Sequence, residues 1–163
     1  MIQRTLVLVK PDGVKRALIG QILSRFERSG MKISGLKMIW PTEEMAHSHY
    51  EEHVGKDFFE GLRVFLTSGP VVAIVLEGIS AVKKVRKMIG TTEAGEAQPG
   101  TIRGDYGLAT YDFADSNNLP VVNLVHASAS VDEAEKEIKI WFNDDELHEY
   151  DPAHHEYVTG TFI

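Results

Sequence analysis

Four strand-like apolar segments alternate with segments of helical period, and that order limits what this chain can fold into. The strand-like segments lie at residues 2–9, 31–40, 70–76 and 119–125. The first is apolar toward its end, the mark of a central strand. In the second, Gly35 is placed for a bulge. Ile19, Ile22, Leu23 and Phe26 recur at helical spacing, and Gly30 closes that helix. Thr42 reads as the N-cap of the next helix, with Glu43 and Glu44 in its first turn and Met45, Tyr50 and Val54 along it. A second short helix starts at Asp57 and presents Phe58, Phe59, Leu62 and Phe65. Ile79, Val82, Val85, Met88 and Ile89 mark another, ended by Gly90. A last helix begins at Ser130 and turns Ala134, Ile138, Trp141 and Phe142 inward.

The resulting order, β-α-β-(αα)-β-α-β-α, belongs to the α/β class. A parallel sheet satisfies it, and so does a split βαβ, ferredoxin-like sheet; the pattern alone leaves both open. At 163 residues a single domain, 1–163, is expected. Residues 91–118 are the least regular. Pro99, Gly100, Gly104 and Gly107 make them a long loop system, and such a loop in a compact domain is usually functional or disordered. After Leu147 periodicity is lost, and residues 148–163 are expected to form an extended arm. No apolar stretch approaches the ~20 residues that span a bilayer. The N-terminal apolar run is too short for a signal peptide. The chain has no cysteine, which excludes disulfides and thiolate metal sites and fits the cytoplasm, the expected location. A net charge of -7 argues against a broad nucleic-acid surface. A small polyanion would need a locally positive pocket.

The chemistry gathers at Asn123-Leu124-Val125-His126-Ala127-Ser128-Ala129-Ser130. The fourth strand delivers His126 at its end, and a helix follows with Ser130 as N-cap and Glu133 three residues on, a capping box. An imidazole at a helix N-terminus sits where anions are attracted. Lys10 stands beside the tight Pro11-Asp12-Gly13 turn, Arg86 in the last turns of a helix, and Arg103 in a glycine-bearing loop. Phosphoryl transfer needs this inventory of fixed positive charge. Plainer readings stand beside it: a structural histidine, a surface lysine, a solvated basic helix face, and an Arg103–Asp105 pair that stiffens the loop. Phe58 and Phe59 are adjacent, so on a helix they cannot share a face, and one must point away from the core or into a cleft. At a cleft, it could stack any nucleobase.

The chain resembles the nucleoside diphosphate kinases. The matches run in order: Val9-Lys10-Pro11-Asp12-Gly13-Val14, Arg25-Phe26-Glu27, His49-Tyr50, Phe58-Phe59 with Gly61-Leu62, Ser68-Gly69-Pro70-Val71-Val72-Ala73 and Glu77-Gly78. They continue with Pro99-Gly100-Thr101-Ile102-Arg103-Gly104-Asp105, Asn123 with His126, Ala134-Glu135-Lys136-Glu137-Ile138, and Trp141-Phe142. The resemblance implies a ferredoxin-like α/β sandwich with a four-stranded antiparallel sheet covered by helices. It implies a Mg²⁺-assisted ping-pong transfer of a terminal phosphate between nucleoside tri- and diphosphates, and a homo-oligomer, hexamer or tetramer. Carried over by motif, His126 is the nucleophile. Lys10, Tyr50, Arg86, Thr92 and Arg103 hold phosphates, and Phe58 and Leu62 sandwich the base. Lys10 and Asn123 reach the sugar hydroxyls. Glu137 orients His126 with help from Ser128. Magnesium is held mainly by the nucleotide phosphates, with no metal ligand from the protein. From spacing alone Glu133 would be nominated instead of Glu137.

The sequence departs from the family pattern in places. Ala127 and Ala129 stand where the family usually has Gly and Asp. If Ala127 needed a positive φ, its Cβ would be strained. The segment 111–122 is longer than the family norm and is expected to project as a polar loop or hairpin. Ala94 replaces a common Pro. These departures prompt an alternative, a nucleotide-binding relative with reduced or lost catalysis. A nucleic-acid-binding ferredoxin-like module ranks below it, because strands 2–9 and 70–76 carry no aromatic residue. His148, His154 and His155 match no strong metal-ligand spacing.

Overall fold

The computed structural model describes residues 1–161. Its centre is a four-stranded antiparallel sheet built from β1 (Ile2–Val9), β2 (Lys32–Ile39), β3 (Val71–Ile79) and β4 (Val125–Ala127), in the order β2-β3-β1-β4. That order is the ferredoxin-like arrangement that the resemblance implied, and it settles the choice that alternation alone left open. Strands β1 and β3 are central and covered on both sides, which is why they read as continuous apolar runs. Leu6, Leu8, Val9, Ile74, Val75 and Leu76 are fully buried.

The helices divide between the two faces. Ile22 and Phe26 of α2 (Ile19–Arg28) and Val85 and Ile89 of α5 (Ala81–Ile89) pack with Val7, Val9, Ile74 and Leu76. Ala46 of α3 (Glu43–His49), Leu66 of α4 (Phe59–Thr67), and Ile138 and Trp141 of α8 (Val131–Trp141) pack with Leu6, Leu8, Ala73 and Val75 on the other face. Three short helices lie outside this frame: α1 (Pro11–Lys15), α6 (Ile102–Tyr106) and α7 (Tyr111–Ser116). A fourth, α9 (His155–Thr159), lies in the tail. Among the described residues no helix is long and apolar enough to cross a membrane.

Several boundaries differ from expectation, each for a local reason. The turn after β1 is the opening of α1, with Pro11 at its first position, where a missing N–H costs nothing. Ile79 ends β3 instead of starting α5, because Ser80 turns the chain at φ +49°. The expected strand at 119–125 shrinks to β4, three residues long. Pro120 lacks a ladder donor, and Leu124 at φ +69° turns out of register. His126 therefore sits mid-strand, opposite Leu8, and not at a strand end. Residues 111–116 form α7, capped by Thr110, instead of a loop or hairpin. The tail runs along β2, with His148 N donating to Ser34 O at 2.7 Å, and then coils into α9. Residues 162 and 163 of the expected arm lie outside the described residues. The bulge at Gly35 is present, and a Cβ there would meet Leu147 and Phe142 at 2.9–3.0 Å.

Candidate active site

Strand β4, the C-terminal end of α3 and the middle of α8 converge on one imidazole. His126 pairs with Leu8 and so faces the side of the sheet that carries α3 and α8. Its Nε2 lies 2.6 Å from Glu137 Oε1, and the other carboxylate oxygen accepts from Ser128 Oγ at 2.5 Å. Ser128 Oγ also accepts from Leu6 N at 3.2 Å, so strand β1 anchors the hydroxyl that anchors the carboxylate. A carboxylate oxygen accepts, so the ring proton belongs on Nε2 and the lone pair is left on Nδ1. Glu137 is seven residues into the helix from Ser130, but its side chain leans back toward the helix N-terminus. Glu133, the residue favoured by spacing, instead accepts from Ala129 N at 2.5 Å and closes the helix start. Its reach is one residue longer than a capping box, whose other half, Glu133 N to Ser130 Oγ at 3.1 Å, is intact.

Positive charge surrounds this ring. Lys10 is buried, with Nζ 5.7 Å from the Phe65 ring centroid and no hydrogen-bond partner for Nζ among the described residues. Burial pushes its ammonium down to about 8; Arg103 adds to the fall and Asp12 opposes it. Burial, then Lys10, Arg103 and Arg86, push the His126 imidazole well below its ordinary value, so it is neutral at pH 7. Arg86 Nη1 donates to Ala127 O at 3.3 Å. Arg103 is buried, and its guanidinium donates to four carbonyls: Asn123, Gly90, Thr91 and Val125. A guanidinium has five N–H donors, so one remains for a ligand. Arg103 therefore clamps the Gly90–Thr91 loop to the Asn123–Val125 turn. The Arg103–Asp105 pairing considered from sequence is absent, because Asp105 pairs with Arg25.

The remaining expected residues meet in two groups, Thr92 against Asn123, and Tyr50 and Phe58 on either side of His53. Asn123 is buried, its Nδ2 donates to Thr92 O at 2.8 Å, and its Oδ1 has no partner. Tyr50 caps α3 and stacks on His53 at 6.1 Å between centroids; burial raises its phenol. Phe58 is exposed at the N-cap of α4, while Phe59 packs into the core, so the adjacent pair divides as the helical argument requires. Leu62 is one turn on from Phe58, on the same side of α4. A cavity of about 790 Å³ opens beside Arg86 and Thr91, but it is lined by α5, Gln3 and the start of α8 and not by His126.

Ala127 lies in strand β4, outside the positive-φ positions, so its Cβ is unstrained. Two residues at the site carried no role in the sequence reading. The His49 side chain is fully buried, its ring edge-on to His126 at 4.5 Å, with Trp141 Nε1 donating to its Nδ1 at 3.3 Å. Asp12 Oδ2 accepts from Leu124 N at 2.9 Å. Both stand in the matched motifs, but no role could be read for them, because each meets its partner only through the tertiary fold.

The model of the family described as nucleoside diphosphate kinase matches residues 3–147. The chain belongs to the nucleoside diphosphate kinase family. It is 53% identical over 149 residues to the nucleoside diphosphate kinase of Pyrococcus furiosus, covering 91% of this chain and 88% of that one. Among solved structures it is similar to the Borrelia burgdorferi nucleoside-diphosphate kinase, a transition-state mimic with bound vanadate and ADP. There the TM-score is 0.92 at 38% identity, over 96% of both chains. It is also similar to the Halobacterium salinarum enzyme in complex with CDP, with a TM-score of 0.87 at 47% identity over 97% of this chain and 99% of that one. A chain of this family transfers the terminal phosphate of a nucleoside triphosphate to a nucleoside diphosphate, and this chain is such a kinase.

Proposed function

We propose that His126 Nδ1 is the nucleophile and that the surrounding side chains hold the nucleotide as the sequence resemblance implies. The observation that carries this is the 2.6 Å contact between His126 Nε2 and Glu137, itself fixed by Ser128. It keeps the proton on one nitrogen and frees the other. The Nδ1 lone pair attacks the γ-phosphorus. The bond from that phosphorus to the bridging oxygen breaks, and the diphosphate leaves with the electron pair. A second diphosphate then attacks the phosphohistidine, and Nδ1 recovers its lone pair. The ring stays neutral before attack, and the Nε2 proton stays with the Glu137 contact throughout. Lys10, Arg86 and the spare Arg103 donor meet the charge on the transferring oxygens. Tyr50 and Thr92 complete the phosphate contacts. Asn123 Oδ1, unpartnered in the buried cleft, is suited to a sugar hydroxyl. Phe58 and Leu62 flank the base.

Magnesium enters with the nucleotide, as part of the substrate. The donor set fits this: both Glu137 oxygens are engaged by His126 and Ser128, Asp12 Oδ2 is engaged by Leu124 N, and Lys10, Arg86 and Arg103 bring positive charge. The His49, His126 and Glu137 donors lie within 4.8 Å of one another, but the 2.6 Å contact between two of them is a hydrogen bond with no room for an ion. A cytoplasmic homo-oligomer, hexamer or tetramer, remains the family-based expectation. Incubation with Mg²⁺ and labelled ATP should place acid-labile label on the protein, chased by any nucleoside diphosphate. His126→Ala should take up none; label retained by that variant would refute the assignment.

A further inference from the structure

The backbone just before His126 is bent in a way its sequence disfavours. Leu124 has φ +69°, and Val125 N donates back to Asn123 O at 2.8 Å. An N–H closing on the carbonyl two residues earlier, around a positive-φ centre, is the rare and strained form of γ-turn. Leu124 is bulky and buried, and such a conformation persists only where its surroundings over-determine it. Three contacts do so. Leu124 O accepts from Lys10 N at 2.8 Å. Gly13 lets the chain pass close by, since a Cβ there would lie 3.0 Å from Leu124 O. The third is Asp12, whose Oδ2 takes the Leu124 N–H at 2.9 Å. That N–H has left the sheet ladder, and without the carboxylate it would be buried and unsatisfied.

We propose that Asp12 is a positioning residue for phosphotransfer: it pins the strained turn at Leu124 and thereby fixes where Asn123 and His126 present their side chains to the nucleotide. The turn lies between those two residues, so its release swings both. A purely local role, an acid in the first turn of α1, does not account for the geometry, because Oδ2 is spent across the fold on Leu124 and not on α1. The Asp12 charge also opposes the loss of the Lys10 proton. Pin and charge are separable: an amide in place of the carboxylate still accepts from Leu124 N–H but carries no charge.

The inference rests on His126 as the phosphorylated residue. The test is the single-turnover rate constant for phosphohistidine formation at saturating Mg²⁺–ATP, read beside hydrogen exchange of the Leu124 amide. Asp12→Ala should lower the rate constant roughly 10- to 100-fold, the scale of an ångström-level misplacement, and should expose the Leu124 amide. Asp12→Asn should keep that amide protected and the rate constant within about threefold of wild type, with the loss appearing in KM for ATP. An Asp12→Ala rate constant within that same margin, or an Asp12→Asn variant that falls with it, overturns the proposal. If Asp12→Ala does not fold, Asp12→Asn decides by the same two readings. Failure of the wild-type protein to take up label would instead strike the His126 assignment, leaving amide exchange to judge the pin.

Discussion

At the residue scale the site depends on keeping imidazoles uncharged inside the protein. Two lie in contact, His49 and His126, and burial is the main cause lowering both. Neutrality suits His126, because a protonated ring has no lone pair to offer. It also carries a cost in acid. The unfolded chain protonates both rings as pH falls below about 6.5, while the native rings hold out to about 3. The unfolded state thus binds more protons across that window, so stability rises with pH there and falls as the solution is acidified. Each ring contributes up to ~1.4 kcal/mol per pH unit, so the pair should cost about 2–3 kcal/mol between pH 7 and 5.5. Urea denaturation of the nucleotide-free protein at those two pH values measures it. In His126→Ala the slope should be about half.

At the scale of elements, helix α8 is tied at its start by two different acceptors. Ser130 Oγ accepts from Glu133 N, and the Glu133 carboxylate accepts from Ala129 N. The second contact places an acid at the helix N-terminus, where Ala129 supplies none. The N-cap at Ser130 was legible because its signal is local: a short hydroxyl residue followed three positions on by Glu. Ser130→Ala should cost ~0.5–2 kcal/mol in equilibrium unfolding, and Ser130→Gly only a few tenths. Equal losses for the two would show that the hydroxyl does not cap. Strand β4 shows the opposite case. Its apolar run from 119 to 125 carries a strand signal, yet Lys10, Asp12 and Arg103 take the hydrogen bonds around Leu124 and bend it out of the ladder.

For the molecule as a whole, the tail closes the free edge of the sheet. Besides the His148 contact, Tyr150 Oη donates to Ile33 O at 2.9 Å, and Glu149 pairs with Lys32 and Arg4. Lys32 is nearly buried but keeps Glu77 at 3.0 Å, so loss of the tail would not orphan it. Truncation after Leu147 should therefore cost about 1–3 kcal/mol, two hydrogen bonds at ~0.5–1.5 each, seen as a lower Tm by calorimetry. The tail contacts named here lie outside the catalytic cleft, so phosphohistidine formation should continue. The sequence by itself determined the alternation of strands and helices, the caps at Thr42 and Ser130, the breaks at Gly30 and Gly90 and the family resemblance, because these signals lie within a few neighbouring residues. Local spacing left the sheet order and the choice between Glu133 and Glu137 open, where the resemblance implied a ferredoxin-like sheet and Glu137; only the tertiary structure decided the burial of the His49 side chain and the grip of Asp12 on Leu124. Those depend on which distant segments share a sheet edge or a helix face, and local spacing carries no record of that.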